Sequence, residues 1–127
     1  MDPEQKAFLS FLAYLYVKFL KFDRALLLLR LLLQHDSNNV RLLLLSSYAH
    51  WSTQNYRASL KDAQLAGEQA QVPHEQATAA LLQSKALWRL ESRDEARQAL
   101  SRFLELQSSF VQWAQSSLNE SLQPVSL

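Results

Sequence analysis

Glycine and proline punctuate a chain more strongly than other residues, and this chain has very few. Its 127 residues hold one glycine, Gly67, and three prolines, Pro3, Pro73 and Pro124. Sheet proteins turn back roughly every 8 to 12 residues and draw on glycine and proline to do so. A chain so short of breakers is confined to helices joined by a few loops. Abundant leucine and scarce valine point the same way, since unbranched side chains suit helices and β-branched ones suit strands. The expected fold class is all-α, and the length suits one domain rather than two.

Three similar phrases mark an internal repeat: Phe22-Asp23-Arg24-Ala25, Tyr56-Arg57-Ala58-Ser59 and Arg93-Asp94-Glu95-Ala96. Each ends in a small residue. Ala25 and Ser59 are 34 residues apart, and Ser59 and Ala96 are 37 apart. A period of about 34 is that of the tetratricopeptide (TPR) repeat, a stacked helix–turn–helix unit. Counting each repeat from Lys6, Val40 and Ala77, the chain resembles TPR proteins position by position. Position 8, where two helices cross closely, holds Ala13, Ser47 and Ser84. Position 17 holds Phe22 and Tyr56, with Arg93 departing from the aromatic pattern. Position 20 holds Ala25, Ser59 and Ala96, position 24 holds Leu29, Ala63 and Leu100, and position 27 holds Leu32, Ala66 and Phe103.

Local signals agree. Asp2-Pro3-Glu4-Gln5 combines an N-cap, a proline at the first helical position and a capping glutamine. Asp36-Ser37-Asn38-Asn39 can end one helix and cap the next. Ser92 and Glu95 form a second capping box. A loop is expected around residues 67–72, with a helix starting at Pro73. From Ser109, the residues Phe110, Trp113, Ala114, Leu118 and Leu122 recur at helical spacing. They predict a seventh helix that caps the array. The expected organisation is three tandem TPR-like repeats at about 6–39, 40–73 and 77–108, a capping helix at about 109–122, and a flexible tail at 123–127. The resemblance implies right-handed stacking.

Several function classes are disfavoured. Thirteen basic against twelve acidic residues leave a formal charge of +1, which gives no footprint for nucleic acid. Without cysteine there is no disulfide, thiolate metal site or thiol nucleophile. His35, His50 and His74 are far apart and lack metal-ligand spacing. Phosphate-binding loops need glycines that the chain lacks. No enzyme activity, cofactor or metal is therefore expected. In the apolar stretch 7–33, Lys18, Lys21, Asp23, Arg24 and Arg30 leave pieces shorter than the ~20 residues a membrane span needs. The acidic residues before this stretch do not suit a signal peptide. The expectation is a protein that is not inserted in a membrane.

The resemblance also implies a concave face lined by positions 2, 5, 9, 12 and 13 of each first helix. Repeat one offers Ala7, Ser10, Tyr14, Val17 and Lys18. Repeat two offers Arg41, Leu44, Tyr48, Trp51 and Ser52, and repeat three Thr78, Leu81, Lys85, Trp88 and Arg89. Aromatic residues and arginine are enriched at protein interfaces. Trp51 and Trp88 share one repeat position, so they would make two anchors for a single ligand. Such a groove suits an apolar helical segment of a partner. The competing readings are that the terminal helix folds back and fills it, or that its aromatics are core. The leucine-rich runs 26–33 and 42–45 are apolar nearly all round, which leaves a homodimer or heterodimer contact open.

Among small TPR proteins, the chain resembles the cytoplasmic chaperones of bacterial type III secretion, and most closely the YscY type. The likeness rests on the apolar first helix over residues 8–17, on Arg24-Ala25, and on Phe103-Leu104-Glu105-Leu106. It implies a bacterial cytoplasmic chaperone that holds a small export substrate in the groove and keeps it soluble until export. A needle-subunit co-chaperone of the same apparatus and a general TPR adaptor or scaffold remain as alternatives.

Overall fold

In the computed structural model, which describes residues 1–122, the chain is helical almost throughout. The helices are α1 (Pro3–Lys18), α2 (Phe22–His35), α3 (Val40–Ser52), α4 (Tyr56–Gln69), α5 (Pro73–Arg89) and α6 (Arg93–Leu122). The all-α expectation is met, and the described residues contain no strand. The expected count of seven helices is corrected to six. Residues 109–122 do not form a separate capping helix but continue α6 without a break. No glycine or proline interrupts them, and the Ser109 hydroxyl bonds back to the Glu105 carbonyl at 3.2 Å inside the helix. The expected flexible tail at 123–127 lies outside the described residues. No described helix is long and apolar enough to cross a membrane.

Side-chain caps start α1 and α3, whereas α2, α4 and α5 begin without one. The Asp2 carboxylate accepts from the Gln5 N–H at 2.8 Å, and the Gln5 side chain accepts from the Asp2 N–H at 3.3 Å, completing a capping box on α1. The Asn39 side chain accepts from the Leu42 N–H at 3.2 Å and caps α3. Pro73 opens α5, where its missing N–H costs nothing. Lys6 on α1 also bonds and pairs with Asp36 at the end of α2, tying the two ends of the first helix pair together.

The first helix of each pair ends in the same way. Leu20, Gln54 and Glu91 have φ values of 62°, 67° and 66°, in the left-handed region that favours glycine. Around each, two backbone bonds close a Schellman motif. The N–H groups of residues 20, 54 and 91 donate to the carbonyls of Val17, Trp51 and Trp88, at 3.1, 3.0 and 3.1 Å. Those of residues 21, 55 and 92 donate to the carbonyls of Tyr16, His50 and Leu87, at 2.7, 2.8 and 3.0 Å. All three positive-φ residues fall at repeat position 15. The backbone therefore repeats more regularly than the side chains do.

Each turn folds its second helix back onto the first, and small residues set the close approach. Ala13 and Ala25 are fully buried in the first pair, and Ser47 and Ser59 in the second. The Ser47 hydroxyl donates to the Ser59 carbonyl at 2.8 Å, and the Ser84 hydroxyl to the Ala96 carbonyl at 3.0 Å. These serines satisfy themselves across the crossing, so their burial carries no unpaired polar group. Leu29 and Leu32 fill the space between the first and second pairs. Burial of that kind stabilises by about 1.5–3 kcal/mol per side chain. Leu100, at the position of Leu29, is 41% exposed, with no further helix pair packed on it among the described residues.

Gly67 lies in the last turn of α4, not in the expected loop, which is limited to residues 70–72. A side chain there would meet Gln83 Nε2 at 2.9 Å. That amide donates to the Ala63 carbonyl at 3.1 Å, so the glycine gives α5 room to cross α4. Besides its sequence neighbours, α3 packs directly on both α1 and α5. Among the described residues, α2, α4 and α6 make no such backbone approach to one another. The helices therefore form two layers, α1, α3 and α5 in one and α2, α4 and α6 in the other.

Candidate partner-binding groove

The layer of first helices carries a groove of about 700 Å³, lined by α1, α3 and α5 alone. Ser10, Phe11 and Tyr14 form one wall, Leu44, Leu45 and Tyr48 the floor, and Thr78, Leu81 and Leu82 the other wall. Arg41, His74, Glu75 and Lys85 line it as well. The Tyr48 ring is held edge-on by Phe22 of α2, with ring centroids 6.0 Å apart. A residue of the outer layer thus fixes the position of a groove residue. Exposed apolar side chains at the mouth include Phe11 and Tyr14. Such a contiguous patch is what a binding surface presents before it is covered.

Of the expected groove residues, Tyr14, Arg41, Leu44, Tyr48, Leu81 and Lys85 are brought together along this cavity. Val17, Lys18, Trp51, Trp88 and Arg89 are not among the lining residues. Val17 is buried in the core with Ala13 and Leu29. Trp51 is half-buried beside the groove. The Lys85 ammonium sits 4.0 Å from its ring centroid and the Arg89 guanidinium 5.8 Å away. Tyr56 meets its ring edge-on at 6.3 Å. The indole N–H of Trp51 is buried and has no acceptor among the described residues. Trp88 is 48% exposed, with the Arg93 guanidinium 4.7 Å over its ring. The two tryptophans are therefore not an equivalent pair of anchors.

Phe11, Leu42, Leu45, His74, Glu75 and Leu82 also line the groove, outside the positions expected of it. For His74 and Glu75 a signal existed. Pro73 marks a helix start four residues before the repeat begins, and the extra turn brings both residues to the groove.

The competing reading, in which the terminal helix folds back and fills the groove, is not seen among the described residues. At backbone-contact distance α6 packs only on α5. With 30 residues against 17, α6 overruns α5 by about 20 Å.

A second cavity of about 680 Å³ opens between α2, α3 and α4. At its edge the Ser46 hydroxyl donates to Asp62 Oδ2 at 2.6 Å, and His50 Nε2 lies 3.9 Å from the same oxygen. Burial pushes the Asp62 carboxyl above its ordinary value, opposed by the Ser46 bond and the His50 charge. Burial also lowers the His50 imidazole, against the attraction of Asp62. In this arrangement the Ser46 hydroxyl donates its hydrogen bond to the carboxylate and not to the imidazole. The trio ties α3 to α4. The described residues contain no group of three or more His, Cys, Asp or Glu able to hold a metal.

The fold and groove define an all-α stack of helix pairs with an open apolar channel along one layer. Comparisons of the chain with protein-family models, curated proteins and solved structures give no match.

Proposed function

We propose that this protein is a TPR-type binding module whose groove holds an apolar segment of a partner polypeptide, and that it serves as a type III secretion chaperone. The observation that carries the binding reading is the groove itself: an open channel walled by Tyr14, Leu44, Tyr48 and Leu81, with nothing of the described chain in it. Its walls are parts of regular helices, so little is spent on ordering them when a ligand arrives. The mechanism is physical. An export substrate with an exposed apolar segment aggregates in water, and seating that segment in the channel removes its surface from solvent. Repeated turns of one geometry and a period of about 34 residues support the TPR reading. The chaperone reading rests on the phrases it shares with the YscY type.

The test is affinity purification of the tagged chain from the cells that make it, alongside a Leu44→Ser/Leu81→Ser variant whose helicity is checked by circular dichroism. One small export substrate in stoichiometric amount, lost with the variant, is the expected result. A large assembly unconnected with export would leave the module and remove the chaperone. Equal capture by both proteins would remove the groove as the binding site.

A further inference from the structure

We infer that the segment this groove takes is an amphipathic helix whose apolar stripe is flanked by acidic residues; the inference rests on the groove-binding reading above. Charge carries the first half of the argument. The whole chain is almost balanced, with thirteen basic and twelve acidic residues, but the groove is not. Arg41 and Lys85 line it, and Arg89 lies next to Lys85 over the Trp51 ring, against a single carboxylate, Glu75. Among the described residues, none of Arg41, Lys85 and Arg89 has a carboxylate within ion-pair distance. Lys85 is half-buried, and aromatic rings hold Lys85 and Arg89 in place. Lys85 and Arg89, held by aromatic rings, and Arg41 on the lining put three cations beside an apolar wall and focus a positive potential into the channel. An acidic flank gains from that field, a neutral one is indifferent to it, and a basic one is repelled.

The walls carry the second half. The described residues offer no strand edge, and the walls at Tyr14, Leu44, Tyr48 and Leu81 consist of side chains. An extended segment would have to satisfy its backbone N–H and C=O groups on scattered side chains such as Ser10, Tyr14, Tyr48 and Thr78, with no strand edge to pair them in register. A helix satisfies those groups internally and presents only side chains.

The experiment uses three synthetic 18-residue peptides with one common leucine and phenylalanine stripe. Their flanking positions carry Glu, Gln or Lys. Binding to the full chain is read by fluorescence anisotropy at low and high salt. With three partly exposed charge pairs, the Glu peptide is expected to bind about tenfold more tightly than the Gln peptide, and the Lys peptide more weakly than both. The advantage should shrink as salt screens it. R41E/K85E/R89E should reverse the order, and if that variant unfolds, Lys85→Gln alone should narrow the gap. Equal binding of the Glu and Gln peptides, with both lost in Leu81→Ser, would overturn the acidic preference while leaving the groove reading intact. Failure of all three peptides to bind would overturn the inference and count against the groove reading too. A Glu peptide with two central prolines that bound as well as its parent would overturn the helical form.

Discussion

Replacing Gln54 by glycine should stabilise this protein, although it removes a side chain and adds no contact. Gln54 sits at φ 67°, where an L-residue's Cβ crowds the neighbouring carbonyl. The left-handed conformation costs such a residue about 1–2 kcal/mol. Glycine avoids that cost but loses about 0.5–1 kcal/mol through the greater freedom of its unfolded chain. The balance is a gain of about 0.5–1 kcal/mol. Leu20 and Glu91 occupy the same place in their own turns, at φ 62° and 66°. All three side chains are exposed, so little packing is lost. The three turns belong to different helix pairs, and their effects should add. The variant Leu20→Gly/Gln54→Gly/Glu91→Gly should therefore gain about 1.5–3 kcal/mol. Urea unfolding followed by circular dichroism measures this as a rise in midpoint at constant slope. Gln54→Val supplies the opposite arm, because a β-branched residue tolerates this region worst, and it should unfold earlier than the parent. A triple glycine variant no more stable than the parent would refute the shared turn geometry.

Two further predictions follow from the crossings between helices. Ser47→Ala and Ser59→Ala should each cost about 1 kcal/mol by removing or orphaning a buried hydroxyl partner, while the double variant should cost less than the sum. The first pair already carries Ala13 and Ala25 at these positions, so the double variant reproduces a packing the fold uses; strictly additive losses in thermal unfolding would contradict this. The second concerns pH. Because burial lowers His50 in the folded state, its contribution is fully present above its unfolded value near 6.5 and is lost as pH falls through the folded value. Asp62, raised by burial, works in the opposite sense, favouring the folded state at low pH and losing that effect as pH rises above 3.8 through its folded value. The His50 contribution should therefore fall on acidification below 6.5, against the rise from Asp62, and His50→Gln should remove it, making the profile less steep in that range; an unchanged slope would show that His50 does not titrate differently on folding.

Breakers and caps made the helices legible in the sequence, and tertiary context decided the rest. Asp2, Asn39 and Pro73 start helices where their chemistry says they should. The end of α6 was misread because helical spacing after Ser109 is equally compatible with a new helix and with a continued one. Only a breaker could separate the two, and none is present. The turns hid their equivalence because Leu20, Gln54 and Glu91 share no side-chain chemistry; their backbone alone is alike. Gly67 suggested a loop, but the glycine serves the crossing of α4 and α5, where Gln83 and Ala79 of α5 come close to it. Among the residues expected in the groove, Val17, Trp51 and Trp88 show the limit of positional reasoning. They occupy one repeat position and have three fates: core, half-buried beneath the cations of α5, and exposed. Lys85 and Arg89 of the following pair cover Trp51, whereas Trp88 carries Arg93 of its own pair. The Ser46–His50–Asp62 tie was invisible for a related reason, since its members come together only when α3 packs on α4.

Site-specific photo-crosslinking in the producing cells tests the central claim most directly. A photoreactive phenylalanine analogue replaces Tyr48 or Leu81 in the groove, or Arg57 on α4 as the control. The account predicts that both groove positions trap one small polypeptide, at the same site on that partner, and that the control traps none of it. Crosslinks to that partner from Arg57 but not from Tyr48 or Leu81 would contradict it and move the binding surface to the outer layer.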